Sequence, residues 1–347
     1  MMQRRRLKKL LSVLGIVALG LCMMTGCGVF VGETASVEGT EQSLSEIGED
    51  MIVVGFSQIG SESVWRTANT ESIQKALSEE NGYFLLFNNA RQKQENQIKA
   101  IRGFISQRVD YIVFSPVTED GWETVLQEAK EAKIPVILVD RKISSMGSGY
   151  YTTWIGTDTK EEGRKAGLWL EEYLKKQKRD EEEINIVVLQ GTIGSSAQLG
   201  RSSGFENVAV AHGNWNIIAQ KSGEFTTAKG KEVMEEFLQQ YQDIDVVVSQ
   251  NDDMTFGALD AIEEAGFTTG KNGDIIVISF DAVGDALKLV EEGKINVDIE
   301  CNPDQGEYIV DVIRKLERGE VVENEYLVEE QIFTPENVGK YLDNRTY

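Results

Sequence analysis

The stretch "MIVVGFSQIGSESVWR", residues 51–66, sets a pattern that the rest of the chain repeats. It begins with an apolar run typical of a buried strand and continues with small and polar residues. Trp65 and Arg66 follow, although a plain turn is built from Gly, Pro, Asn, Asp or Ser and needs neither an aromatic ring nor a cation. We therefore interpret this stretch as a strand whose end carries side chains into a site.

From Met51 onward, short apolar runs alternate with amphipathic segments such as "EVMEEFLQQY" and "GALDAIEEAG", whose apolar residues lie three and four apart as in a half-buried helix. Strand–helix alternation predicts parallel sheets with right-handed crossovers. The rhythm restarts after "TTWIGTD", so we predict an α/β fold with two doubly wound parallel-sheet lobes. The predicted strands cover residues 51–57, 83–87, 111–115, 135–140, 184–190, 215–220, 246–250, 275–280 and 295–300.

The first residues have the layout of a secretory signal. Basic residues precede an apolar run that starts at Leu10, and small residues follow up to Cys27. The end of this segment, "MTGC", resembles a bacterial lipobox, in which the cysteine is lipidated and becomes the mature N-terminus. A permanent transmembrane anchor is the alternative, but the apolar run is short. We predict a lipoprotein signal over residues 1–26, lipid on Cys27, and an extracytoplasmic location on the outer face of the bacterial cell membrane.

Residues 27–50 are acidic and rich in Ser, Gly and Glu, which predicts a flexible tether. The formal net charge of the chain is −22; without residues 1–26, 30 Lys and Arg remain against 57 Asp and Glu, a net charge of −27. A body this acidic repels nucleic acid and anionic lipid, so we expect no nucleic-acid partner. Cys301 is the one cysteine left for the body, so no internal disulfide is expected.

Ligands of doubly wound sheets bind beyond the carboxyl ends of the strands. Asp140 and Arg141 stand at such an end, after "PVILV". A carboxylate accepts hydrogen bonds from two neighbouring hydroxyls, and a guanidinium donates several in one plane, so the pair suits a polyol. The alternative is an ordinary surface salt bridge, which contributes little.

Asn251 and Asp281 follow predicted strands of the second lobe in the same way. Helix N-capping is the alternative role for such residues, and it is the role that we prefer for Asp252 or Asp253. Arg201 follows the Gly-rich "GTIGSS" and is placed either across a cleft or on a solvated helix face.

Trp65 and Phe225 offer flat apolar walls against which the C–H face of a sugar ring can pack. Each alone is more typical of a core residue. Together with converging Asp, Asn and Arg side chains, they indicate a carbohydrate pocket.

Catalytic motifs are weak in this sequence. The single histidine, His212, has no nucleophile nearby and is expected at an exposed helix end, and no P-loop, dinucleotide-binding, zinc-protease or EF-hand motif is present. We therefore predict a binding protein rather than an enzyme, with neither cofactor nor metal. Asp140 and Asp281 as a glycosidase pair form the alternative enzyme hypothesis.

Several longer stretches resemble the sugar-binding members of the periplasmic binding protein family, in the ribose-binding-like branch and nearest its galactofuranose-binding proteins. They are "VGFSQIGSESVWR", "RQKQENQIKAIRGFISQRVDYIVFSPV", "GWETVLQEAKEAKIPVILVDR" and "QNDDMTFGALDAIEEAG". The resemblance runs from about Met51 to about Pro303 and weakens toward Tyr347.

The resemblance implies two lobes joined by three hinge crossings that close on a sugar and pass it to an ABC importer. The first lobe is expected over residues 51–155 and about 302–322, and the second over 156–301 and about 323–347. The implied ligand-binding residues are Glu62, Trp65, Arg66, Asp140, Arg141, Arg201, Phe225, Asn251 and Asp281. Cys301 is left out of this set.

The implied function is that of a monomeric, lipid-anchored sugar-binding protein whose partners are a monosaccharide, of the furanose or pentose type, and the permease of an ABC importer. A sugar sensor that presents its ligand to a membrane histidine kinase or chemoreceptor is the alternative. A repressor of the lactose-repressor type shares the lobes but needs an N-terminal DNA-binding headpiece, where this chain has a signal and an acidic tether.

Overall fold

A computed structural model describes residues 51–144 and 149–347. The strands of its first sheet are β1 (Ile52–Gln58), β2 (Tyr83–Asn89), β3 (Tyr111–Phe114), β4 (Val136–Val139), β5 (Thr153–Gly156) and β11 (Glu325–Leu327). They are all parallel and lie in the order β11-β5-β4-β3-β1-β2. Successive side chains along β1 and β3 point to opposite faces of the sheet, and helices cover both faces, so these strands are apolar nearly throughout.

The strands of the second sheet are β6 (Ile184–Gln190), β7 (Trp215–Ser222), β8 (Val246–Ser249), β9 (Ile276–Asp281), β10 (Val297–Glu300) and β12 (Ile332–Phe333). This sheet repeats the architecture of the first, with strand order β12-β10-β9-β8-β6-β7. Its pairs are parallel except for β10 with β12. The predicted fold of two doubly wound parallel-sheet lobes is thereby confirmed.

Helices cover the faces of both sheets. In chain order they are α1 (Val64–Ala76), α2 (Gln94–Gln107), α3 (Glu123–Glu131), α4 (Thr159–Gln177), α5 (Ser196–Ala209), α6 (Thr227–Gln240), α7 (Asp252–Glu264), α8 (Gly284–Glu291) and α9 (Gly306–Glu317). Apolar clusters lie on both faces of each sheet, as in Val54 and Phe56 on one face of the first sheet and Ile112 and Phe114 on the other.

Helices α4 and α5 pack closely, and their contact positions Arg201 of the site. A Cβ on Gly163 of α4 would lie 2.2 Å from the backbone oxygen of Arg201, and one on Gly204 of α5 would lie 2.0 Å from the oxygen of Lys160. Only glycine allows the two backbones to approach so far. The approach brings Arg201 against α4.

The chain passes between the lobes three times: after β5, after β10 and between β11 and β12. The last crossing differs from the expectation of about residue 322, because Glu325–Leu327 still pairs with β5 of the first sheet. This strand has three residues and is mostly exposed, so it has no apolar pattern to mark it.

Within residues 51–144 and 149–347, no helix has the length and apolar character needed to cross a bilayer. The predicted signal, the lipidation site Cys27 and the tether over 27–50 all lie outside these residues.

Candidate functional site

The carboxyl ends of the two sheets face each other and are joined by direct hydrogen bonds between the lobes. The backbone N–H of Val64 donates to Asp253 Oδ2 at 3.1 Å, and that of Lys142 donates to Ser196 Oγ at 2.9 Å. A third bond runs from Glu119 N–H to the Gly194 oxygen at 3.1 Å. These contacts flank a cavity between the strand ends, whose empty volume is about 310 Å³ with its open solvent included.

All nine side chains predicted as ligand-binding line this cavity, together with three that were not predicted. The lining consists of Glu62, Ser63, Trp65, Arg66, Asp140, Arg141, Ala197, Arg201, Phe225, Asn251, Asp281 and Cys301.

The start of α1 presents three of these residues. Ser63 caps the helix by accepting from the backbone N–H of Arg66 at 3.0 Å, so the first turn ends with Trp65 and Arg66 turned toward the cleft. Arg66 Nε donates to Glu62 Oε1 at 3.1 Å, and its Nη1 lies 2.7 Å from Asp140 Oδ2. Burial alone would lower the pKa of Arg66, but Asp140 and Glu62 outweigh it and the pKa is raised. The guanidinium is therefore a fixed cation.

Asp140 and Arg141 directly follow β4, at the strand end where the sequence predicted a ligand-binding pair. Asp140 adopts the left-handed conformation with φ of 60°, and its Oδ2 also accepts from Ser115 Oγ at 2.9 Å. Arg141 Nη1 donates to the Val117 oxygen at 3.0 Å, while its buried Nε has no partner among the described residues. Burial, and then repulsion by Arg66, lowers the pKa of Arg141 to about 10, so it stays charged at neutral pH.

Arg201 enters the cavity from α5 and is buried, not on a solvated helix face. Its Nε donates to Glu162 Oε2 at 2.7 Å, its Nη2 to Asp281 Oδ1 at 3.1 Å, and its Nη1 to the Gln250 backbone oxygen. A guanidinium has five N–H donors, so two remain for a ligand. Burial would lower the pKa of Arg201, but the carboxylates of Glu162 and Asp281 raise it well above its ordinary value.

Asn251 is the N-cap of α7, with Oδ1 accepting from Met254 N–H at 3.0 Å, and it lines the cavity as well. The capping role preferred for Asp252 or Asp253 therefore belongs to Asn251. Asp252 instead accepts from Ser279 and Val283, and Asp253 forms the bond to Val64 across the cleft.

Asp281 ends β9 with φ of 107°, a strained value for a non-glycine residue. Burial raises its pKa well above the ordinary value, although Arg201 opposes this shift. The backbone around it is held by the N–H of Ala282 donating to Asp298 at 3.1 Å and by that of Val283 donating to Asp252 at 2.8 Å. The buried carboxylates of Asp252 and Asp298 therefore hold the strained turn in place.

The aromatic walls come from opposite lobes. The Arg141 guanidinium lies over the Phe225 ring at 5.3 Å, and that of Arg66 lies 4.7 Å from the Trp65 ring. Trp65 Nε1 donates to the backbone oxygen of Cys301 at 2.5 Å, which ties α1 to the second hinge crossing. Both rings are anchored as well as exposed to the cavity.

Sequence reasoning missed Ser63, Ala197 and Cys301. Cys301 follows β10 directly, so the strand-end rule that selected Asp140 and Asp281 also applies to it. Ser63 directly follows the predicted residue Glu62 and lies two positions before Trp65. Ala197 lies in the first turn of α5 and has no chemical signal of its own.

The arrangement suits a small neutral polyol. Three arginines and three carboxylates meet in one cavity with an amide and two aromatic faces, so donors, acceptors and an apolar wall are all present. His212 lies elsewhere, stacked on Trp215 with ring centroids 4.2 Å apart. The lining contains the thiol of Cys301 and no histidine, and it brings together Asp140 and Asp281, the pair named in the enzyme hypothesis.

Comparison with known proteins agrees with this architecture. A family model described as "Periplasmic binding protein domain" matches residues 54–320. The galactofuranose-binding protein YtfQ of Escherichia coli is 39% identical over 298 residues, which cover 85% of this chain and 91% of that protein.

Solved structures give the same picture. A protein from Mycobacterium smegmatis, in complex with beta-D-fucofuranose, is 44% identical with a TM-score of 0.81, covering 85% of this chain and 95% of that one. The periplasmic binding protein component of the arabinose ABC transporter from Shewanella sp. ANA-3, bound to alpha and beta-L-arabinofuranose, is 43% identical with a TM-score of 0.78 and the same coverage. The family match extends over well more than half of the sequence, and the chain belongs to the periplasmic binding protein family.

Proposed function

We propose that this chain is an extracytoplasmic sugar-binding lipoprotein that delivers a furanose-form monosaccharide to an ABC importer and closes its two lobes over the sugar. The observation that carries the proposal is the cavity between the strand ends. It collects three arginines, three carboxylates and two aromatic rings from both lobes.

The choice of sugar class rests on the relatives. YtfQ is named a galactofuranose-binding protein, and the two similar structures hold a fucofuranose and an arabinofuranose. The importer role, rather than that of a sensor, is supported by the Shewanella protein, which is described as part of an ABC transporter.

Calorimetric titration with galactofuranose, arabinofuranose, galactose and ribose tests the proposal. We expect saturable binding of at least one furanose, and an NMR spectrum of that sugar that does not change on prolonged incubation with the protein. Absence of binding to every sugar refutes the proposed ligand class, and steady formation of a product that depends on Asp140 or Asp281 makes the chain an enzyme.

The lipid anchor is a separate part of the proposal and rests on the layout of residues 1–27. Mass spectrometry of the protein expressed in a bacterial host should find an acylated N-terminal Cys27. A chain that still starts at Met1, or one cleaved elsewhere without acylation, contradicts it.

A further inference from the structure

The three hinge crossings meet at one buried carboxylate, Glu162 of α4. Thr157, from the crossing after β5, donates its hydroxyl to Glu162 Oε1 at 2.7 Å and lies 3.4 Å from the sulfur of Cys301, in the crossing after β10. Glu330 comes from the crossing between β11 and β12, and the ligand-type atoms of Glu162, Cys301 and Glu330 all lie within 4.8 Å of one another. We call these four residues the hinge cluster.

The hinge cluster reaches the cavity in two ways, through Cys301, which lines it, and through the cation of Arg201. Glu162 Oε2 accepts from Arg201 Nε at 2.7 Å, and the side chains of both residues are 3% exposed or less. Arg201 lines the cavity with the donors that Glu162, Gln250 and Asp281 leave unused. Any shift of Glu162 therefore changes the direction in which those donors point.

The charges around the hinge cluster favour a shared proton. Arg201 pairs with both Glu162 and Asp281, and Lys165 Nζ lies 3.7 Å from Glu330 Oε2, so two cations face three carboxyls and leave one of them without a countercharge. Burial, and then the proximity of Glu162, raises the pKa of Glu330 to about 11. Burial also raises the pKa of the Cys301 thiol, so that group is neutral too.

The geometry of Glu330 agrees with a protonated carboxyl. Its side chain is 5% exposed, and its Oε1 is buried with no hydrogen-bond partner among the described residues. Two ionised carboxylates at this separation would repel in a region of low dielectric. One proton between Glu162 and Glu330 removes that repulsion and leaves the charge on Glu162 to pair with Arg201.

We propose that Glu162 is a positioning residue that couples the three hinge crossings to the ligand-facing Arg201. In this arrangement Glu330 is neutral and shares its proton with Glu162. This inference rests on the proposed sugar-binding function. As a consequence, the three hinge crossings set the position of Glu162, and Glu162 sets the position of the Arg201 guanidinium that contacts the ligand.

Calorimetry with the furanose sugars named above tests the coupling. Glu162→Gln should weaken binding by at least about tenfold, because an amide cannot hold Arg201 as a charge partner, whereas Glu330→Gln, which imitates the protonated acid, should stay within about threefold of the wild type. The matched control is Glu172→Gln, the same change on an exposed face of α4. Equal affinities for the Glu162→Gln and Glu172→Gln variants overturn the inference.

A double-variant cycle separates positioning from general damage to the fold. Arg201→Lys lacks Nε, so in its background Glu162→Gln should cost much less than in the wild type if Glu162 acts through Arg201. Additive losses in the two backgrounds contradict the inference, even when each single variant binds weakly.

A third measurement needs no sugar. The folded chain holds the proton of Glu330 more tightly than the unfolded chain, so this carboxyl contributes stability at pH values below about 4.3 and loses it progressively as the pH rises. Thermal unfolding is measured between about pH 5 and about pH 9. As the pH rises over this range, the melting temperature of the wild type should fall relative to that of Glu330→Gln. Parallel pH profiles overturn the inference, whereas a wild type that binds no sugar refutes only the proposed function.

Discussion

Arg66 Nη1 lies 2.7 Å from Asp140 Oδ2, and both side chains are more than nine-tenths buried beside the carboxyl end of β4. The two residues are far apart in sequence: Arg66 lies in the first turn of α1, and Asp140 directly follows β4. Arg66 also keeps Glu62 at 3.1 Å, so the cation has two counterions. Asp140 is therefore the member of the group that a variant can remove without leaving a buried charge alone.

Asp140→Ala should weaken sugar binding by at least about tenfold. Loss of one partner of a buried charge-assisted hydrogen bond costs about 1–3 kcal/mol or more, and each 1.4 kcal/mol is a factor of ten in affinity. The free energy of unfolding should change less, since Glu62 still balances Arg66. Calorimetry and thermal unfolding check both effects against Asp120→Ala, an exposed acid of the same lobe. A variant that binds every sugar as the wild type does places the pocket elsewhere.

Gly191→Ala should weaken sugar binding several-fold by moving Phe225. A Cβ at Gly191 would lie 1.9 Å from Cζ of that ring, so the aromatic wall of the second lobe has to shift. Overpacking of this kind typically costs about 1–3 kcal/mol of stability. Gly213→Ala is the matched control, because a Cβ at that position would have nothing within 4 Å of it. Unchanged affinity of Gly191→Ala would show that Phe225 does not contact the ligand.

Protonation of Asp253, whose carboxylate accepts the hydrogen bond from Val64 between the lobes, should make the stability of the fold depend on pH. Burial raises the pKa of Asp253 to about 6 from its ordinary value, so the folded chain binds a proton there that the unfolded chain has released. Between about pH 4 and about pH 6, rising pH should therefore lower the free energy of unfolding of the wild type relative to Asp253→Asn, by at most about 3 kcal/mol. Denaturant unfolding across this range measures the difference. Identical pH profiles would contradict the raised pKa.

Arg345→Ala should destabilise the fold and weaken sugar binding. Arg345 Nε donates to the Ala282 oxygen at 2.8 Å, beside the strained turn of Asp281, and its Nη1 pairs with Glu300 Oε1 at 2.6 Å. Removal of one partner of a buried ion pair costs on the order of 3 kcal/mol. Arg318→Ala, which breaks an exposed pair with Glu320, should cost less than about 1 kcal/mol. Equal melting temperatures of the two variants would show that the C-terminal segment does not support the turn.

The fold and most of the site were predictable from local patterns. Asp140 and Asp281 each follow a buried apolar run directly, and Asn251 follows one after two polar residues. Parallel topology alone brings such positions to one edge of the sheet. The resemblance supplied Glu62 and the assignment of Arg201 to the cavity, which spacing left open.

What was missed depends on contacts between distant parts of the chain. Asp253 resembles a helix cap in sequence, and only the facing lobe, through Val64, gives it another role. The final crossing was misplaced because β11 has three residues and no periodicity. Glu162 and Glu330 look like surface acids of a strongly charged chain, and their burial follows from three crossings that no local window contains.

A crystal structure of the protein grown with its tightest-binding furanose tests the central claim most directly. The account predicts one sugar in the cavity between the lobes, with hydrogen bonds from at least one charged side chain of each lobe, such as Asp140 and Arg201, and with the bond from Val64 to Asp253 formed across the cleft. A sugar held by one lobe alone, or bound outside this cavity, would contradict it.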